Sequence, residues 1–155
     1  MRIEAGDLDA PDVQDLIREH LDDMFATSPP ESVHALSDEG LRHPDVVFFT
    51  ARDDDGALLG CGAIKALGHD AAELKTMRTV RAARGRGVGA AMLGHLLQVA
   101  RERGVASVHL ETGSMEYFAA ARRLYARHGF AETGPFGDYA PDPLSTFMAL
   151  RLSAA

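Results

Sequence analysis

The chain has 155 residues, one cysteine, 46% hydrophobic residues and a formal net charge of −7. That is length enough to bury the core of a single domain, residues 1–155, without disulfide or metal staples, and no apolar run nears the roughly 18 residues a membrane span needs. Fifteen of the 23 acids but only four of the 16 basic residues fall in the first 60 positions, which argues against a nucleic-acid surface, and the N-terminus carries no signal-peptide h-region.

Met1 to Ala5 reads as a short strand. Asp9 is positioned as an N-cap with Pro11 in the first turn, and Val13, Leu16, Ile17, Leu21, Met24 and Phe25 recur at helical spacing. Ser28 to Leu36 breaks that helix, and a second short helical piece is expected up to about Arg42, before His43-Pro44. Three strands with tight turns follow, Val46–Arg52, Ala57–Leu67 and Ala71–Val80, the turns being Asp53 to Gly56 and Gly68-His69-Asp70. They predict an antiparallel meander, with Gly60 and Gly62 marking a bulge in its middle strand. A helix with Leu93, Leu96, Leu97 and Ala100 on one stripe ends near Gly104, and Val105–Glu111 returns as a strand to complete a right-handed βαβ crossover. A last helix from Met115 to His128 is stopped by Gly129, and short strands near Phe130 and from Ser145 to Leu152 close the chain. The fold class is α+β: a mixed central sheet, antiparallel meander plus a parallel βαβ pair, flanked by helices.

Between the third meander strand and its helix lies Arg81-Ala82-Ala83-Arg84-Gly85-Arg86-Gly87-Val88-Gly89-Ala90. Glycines at alternate positions let the backbone approach a ligand, and the helix start turns unpaired N–H groups and a positive dipole end outward. From Arg78 to Arg86 there are four arginines and no acid, so a strongly charged anion such as a pyrophosphate is expected. Gly85 to Ala90 also matches the dinucleotide pattern G-x-G-x-x-A, but a strand holding Glu73, Lys75 and Arg78 is too polar for a doubly buried first strand. A P-loop is excluded because no Gly-Lys-Ser/Thr follows.

Arg84, Gly87 and Gly89 instead meet Arg/Gln-x-x-Gly-x-Gly/Ala, and Ala121 to Phe130 contains A-x-x-L-Y-x-x-x-G-F. In these two segments the chain resembles the GNAT superfamily of N-acetyltransferases over nearly its whole length. Ser28 to Leu36, Leu110 to Gly113 and Phe136 to Tyr139 resemble a bacterial subgroup of uncharacterised acetyltransferases related to YsnE. Two positions depart from the superfamily pattern: Arg81 stands where a proline is common, and Phe118 stands near the place of an asparagine that contacts the cofactor in some members.

The resemblance implies an acetyl-CoA-dependent transfer of an acetyl group to the amine of a small-molecule acceptor, with a non-catalytic acetyl-CoA-binding or sensing module as the alternative. It implies that Arg84, Gly85, Arg86, Gly87, Val88, Gly89 and Ala90 seat the pyrophosphate, that Arg78 or Arg81 reaches other phosphates, and that the backbone of Met77 and Thr79 holds the pantetheine arm. Met77 N–H is the implied oxyanion donor, Tyr125 the acid for the thiolate and Glu73 the general base. Strand alternation puts Glu73 on one face with Lys75 and Met77. The acceptor is expected against Ser28 to Leu36 and the loop at Phe136 to Tyr139, with Glu31, His34, Phe136 and Tyr139 as its contacts and Asp138 nearby. The seven histidines show no metal-ligand spacing and Cys61 sits in an apolar run, so no metal site is expected and Cys61 is assigned to the core. The chain is expected in the cytoplasm, without nucleic-acid or membrane partners; a homodimer is left open.

Overall fold

The computed structural model describes residues 1–68 and 70–152. The strands are β1 (Arg2–Ala5), β2 (Val46–Arg52), β3 (Leu58–Gly68), β4 (Ala71–Thr79), β5 (Ser107–Gly113), β6 (Ala131–Thr133) and β7 (Ser145–Arg151). The helices are α1 (Pro11–Thr27), α2 (Asp38–Leu41), α3 (Val88–Glu102) and α4 (Ala119–Arg127). The strands form one sheet in the order β1-β2-β3-β4-β5-β7-β6, antiparallel throughout except for β4 and β5. The mixed α+β sheet expected from the pattern is therefore present. The turn read at Gly68-His69-Asp70 falls partly on His69, which lies outside the described residues.

Two apolar layers sandwich the sheet. On one face α3 buries Met92, Leu93, Leu96 and Leu97 against Leu59, Ile64, Ala72, Leu74, Val108 and Leu110, with Tyr125 and Phe130 joining from α4 and its cap. On the other face α1 buries Val13, Leu16 and Ile17 against Phe48, Cys61 and Ala63. Alternation along each strand divides its side chains between these layers. Gly129, at φ 96°, ends α4, and the N–H of Phe130 donates to the carbonyl of Tyr125 at 3.1 Å, folding the apolar ring back into the core.

Two local expectations are corrected, and a third in part. The N-cap of α1 is Ala10 rather than Asp9, because Pro11 occupies the first helical position; Asp9 instead pairs with Arg42 at 2.7 Å. The helix expected from Met115 is broken into a 3-10 turn at Glu116–Phe118 and the shorter α4. Beside Gly62 the extra residue of the bulge is on β4, while β3 carries register shifts of its own at Leu59, next to Gly60, and at Leu67. Cys61 faces Arg78 and Ala63 faces Lys75, so Gly62 alone opposes both Thr76 and Met77. Thr76 takes the left-handed conformation at φ 54°, and the Cys61 thiol, pushed up to about 12 by burial, donates to its carbonyl at 3.3 Å.

Gly60 and Gly62 permit close approach rather than supplying the extra residue. A Cβ at Gly60 would lie 2.7 Å from the backbone oxygen of Arg78 and 3.0 Å from Val88 Cγ1. Backbone cannot swing aside as a side chain can, so Gly60→Ala is expected to destabilise the fold by about 1–3 kcal/mol, read as a lower denaturant midpoint. Gly94→Ala, in exposed helix with nothing within 4 Å of the new Cβ, is the control and should stabilise by about 0.5–1 kcal/mol.

Candidate active site

The parallel pairing of β4 with β5 runs only from Ala71↔Ser107 to Glu73↔His109. Beyond it the two strands separate: β5 remains paired with β7 as far as Gly113↔Ser145, while β4 continues along β3. Thr76 and Met77 therefore have no register partner on either side. The opening is the floor of a cleft of about 580 Å³ that includes Met77, Thr79, Arg84, Gly87, Gly89, Ala90, Glu111, Tyr125, His34 and Tyr139 in its lining.

The bulge also resets which way β4 side chains point. Glu73 and Lys75 project toward the α1 layer, as register partners of Lys65 and Ala63 do. One extra residue inverts the alternation, so Met77 packs against the α3 layer and does not share a face with Glu73. The same inversion sends Arg78 to α1. Its guanidinium donates to Glu19 at 2.7 Å, to Asp23, and at 3.5 Å to the Tyr117 hydroxyl, rather than reaching toward the glycine loop. Arg78 in turn holds the Asp23 carboxyl below the usual range.

At one end of the cleft Gly85 and Gly87 have φ of 76° and 81°, and nothing lies within 4 Å of the Cβ either would carry. These glycines are there for backbone conformation: Gly87 is the cap of α3, and the next N–H groups, to Ala90, point out of the helix start without intrahelical partners. Arg84 and Arg86 are exposed around them; Arg84 and Gly85 border the cleft, whereas Arg86 stands outside it. The free N–H groups and the exposed Arg84 and Arg86 give this cradle a positive character.

At the other end the Tyr139 hydroxyl donates to Glu73 Oε2 at 2.5 Å, and Lys75 Nζ lies 3.2 Å from the same oxygen and 2.9 Å from the phenol. Burial, and then the hydrogen bond to Glu73, raise the Tyr139 pKa, so the phenol stays protonated. His34 meets the Tyr139 ring edge-on at 5.0 Å, and Ser32 donates to Asp142 at 2.6 Å, so the segment after α1 closes onto the loop before β7. Phe136 lies behind Tyr139, stacked among His109, Tyr139 and Phe147, and does not border the cleft. Glu31 and Asp138 are exposed and stand away from it.

In the middle Tyr125 is buried, and burial followed by the charge of Glu111 pushes its phenol up to about 12. Glu111 belongs to the face of β5 turned from α3, beside Phe147 of β7. Burial pushes its carboxyl up to about 7 although Ser145 donates to it at 3.3 Å. Neither Glu111 nor Lys75 is among the catalytic or acceptor residues expected from the sequence, and both border the cleft. Alternation with Val108 and Leu110 does signal that Glu111 leaves the core, but only the separation of β4 from β5 puts it in a cavity. His20 is a further buried lining residue whose Nδ1 has no hydrogen-bond partner among the described residues.

The cleft thus combines a sheet split, a glycine-capped helix start, and a carboxylate and a buried phenol in one lining. Residues 13–130 match the Acetyltransferase (GNAT) family model, and the chain belongs to that family of acyltransferases. It is 44% identical to the uncharacterised N-acetyltransferase YsnE of Bacillus subtilis (strain 168) over 98% of this chain and 100% of that one. It is also 44% identical to the uncharacterised N-acetyltransferase YedL of Escherichia coli (strain K12), over 97% and 94%. A crystal structure from Klebsiella pneumoniae subsp. pneumoniae MGH 78578, assigned as an acyl-CoA N-acyltransferase, superposes with a TM-score of 0.79 at 30% identity, covering 98% of this chain and 97% of that one. Among the described residues no helix is long and apolar enough to cross a membrane.

Proposed function

We propose that the protein transfers an acetyl group from acetyl-CoA to the amine of a small acceptor. The observation that carries this reading is the unpaired stretch of β4 at Thr76 and Met77, opening directly onto the helix start at Gly87. An extended pantetheine arm can add to that free strand edge as another strand would, while its pyrophosphate rests on the N–H groups after Gly85 with Arg84 beside it. Met77 N–H then faces the thioester oxygen, where charge develops during transfer. Tyr125, protonated at any assay pH below about 12, supplies the proton for the sulfur that leaves. Glu73 and Glu111 are the two carboxylates on the acceptor side, and either one next to a protonated amine would attract it. His34 and Tyr139 border the acceptor space, which suits a small molecule held under a closed wall.

Steady-state thiol release with acetyl-CoA and a panel of amines tests the reading. Tight acetyl-CoA binding with no release for any acceptor would favour the sensing module instead. Arg84→Ala is expected to weaken acetyl-CoA binding by about 1.5–3 kcal/mol in calorimetry, through loss of a charge-assisted contact in the cradle. An unchanged affinity would move the pyrophosphate elsewhere.

A further inference from the structure

We infer that Glu111, and not Glu73, is the carboxylate that receives the proton of the acceptor's ammonium group, while Glu73 is a positioning residue that fixes Tyr139 and Lys75 in the acceptor wall. The inference rests on the proposed transfer to an amine.

The two carboxylates differ in what already holds them. Glu73 is buried, and the same oxygen accepts from the Tyr139 hydroxyl at 2.5 Å and from Lys75 at 3.2 Å. That oxygen is already engaged by two donors, so a proton placed on it would displace the contact that fixes Tyr139. Glu111 has no such partner: its hydrogen bond is the weaker one from Ser145 at 3.3 Å. It sits on β5 past the last β4–β5 pair, Glu73↔His109, and borders the cleft together with Tyr125 and Met77. Glu111 and Tyr125 line the same cleft, and the charge of Glu111 is felt at the Tyr125 phenol.

Lys75 on β4 favours the ionised form of Glu111, Glu73 on β4 and Asp142 before β7 oppose it, Ser145 on β7 donates to it, and burial dominates. The phenols of Tyr125 and Tyr139 also face the charge of Glu111. The balance leaves the carboxyl titrating at about 7, suited to accepting and releasing a proton near neutrality. In the step, the ammonium gives one proton to the Glu111 carboxylate. The freed nitrogen pair bonds to the thioester carbon, the C–S bond breaks, and the sulfur takes the Tyr125 proton. Tyr125 is restored by the second proton lost from the nitrogen, and Glu111 releases its own to water.

The test measures kcat and kcat/KM against pH for wild type, Glu111→Gln, Glu111→Asp and Glu73→Gln, with two acceptor amines of different basicity. Wild type should show an acidic limb near pH 7 at the same place for both amines. Glu111→Gln should lower kcat on the order of 100-fold and abolish the limb, and Glu111→Asp should restore it. Glu73→Gln should mainly raise the acceptor KM and keep the limb. Retention of the limb and of kcat in Glu111→Gln, with their loss in Glu73→Gln, would overturn the inference. A wild type that binds acetyl-CoA but turns over no amine would instead remove the functional reading on which it rests.

Discussion

Between pH 7 and 4.5 the stability of the wild-type fold is expected to stay nearly level, because two large opposing slopes cancel. Burial, then the positive charge of Arg78, lower the His20 pKa from 6.5 to about 4. The unfolded chain then binds a proton that the folded chain refuses, so this contribution is present above 6.5 and lost as pH falls toward 4. Glu111 is shifted the other way, from 4.5 to about 7, by burial. The folded chain holds its proton where the unfolded chain has released it, so that contribution is present below 4.5 and lost as pH rises through 7. Each shift is worth about 3 kcal/mol at full development. His109, lowered by burial against the pull of Glu73, adds in the direction of His20. Denaturant midpoints should therefore rise with falling pH in His20→Leu and fall with it in Glu111→Gln. Parallel, level profiles in both variants would show that neither group titrates with the folded state.

Tyr125→Phe should lower kcat by about 100-fold or more while leaving acetyl-CoA affinity and the thermal midpoint nearly unchanged. The ring keeps its apolar contacts with Phe130 and the α3 layer, and only the hydroxyl facing the cleft is removed. A fall in kcat and kcat/KM together marks a group used in the chemical step. A variant that instead loses donor affinity would make the hydroxyl a binding contact. Full activity would remove Tyr125 from proton transfer.

The elements that carry local signals were legible in the sequence. Helical spacing from Val13 onward, the turn residues of the meander, the glycines before α3 and the Gly129-Phe130 stop are all short-range features, and each element appears within a few residues of where the pattern puts it. What the sequence hid depends on pairing between distant strands. Nothing in Ser145–Arg151 says that β7 inserts between β5 and β6, and nothing in the β4 run says that its extra residue is Thr76. That single residue decides the faces of Met77 and Arg78, so the alternation argument failed for Met77, and Arg78 turns to α1 rather than to the phosphates. Of the side chains singled out for the acceptor wall, His34 and Tyr139 meet each other, Phe136 supports Tyr139 from behind, and Glu31 faces solvent. The Tyr139 to Glu73 contact spans 66 positions of chain, beyond the reach of any local pattern.

The latch from Ser32 to Asp142 joins two segments 110 positions apart, neither of which supplies a strand to the sheet. The cradle at Gly85 to Ala90 and the split between β4 and β5 are built from other residues altogether. On the proposed reading the two halves of the cleft can diverge separately, provided that a replaced segment keeps the Tyr139 contacts to Glu73 and Lys75 and the Phe136 packing on His109 and Phe147. If that reading holds, exchanging residues 28–36 together with 134–144 between relatives is expected to change the acceptor and leave acetyl-CoA affinity unchanged.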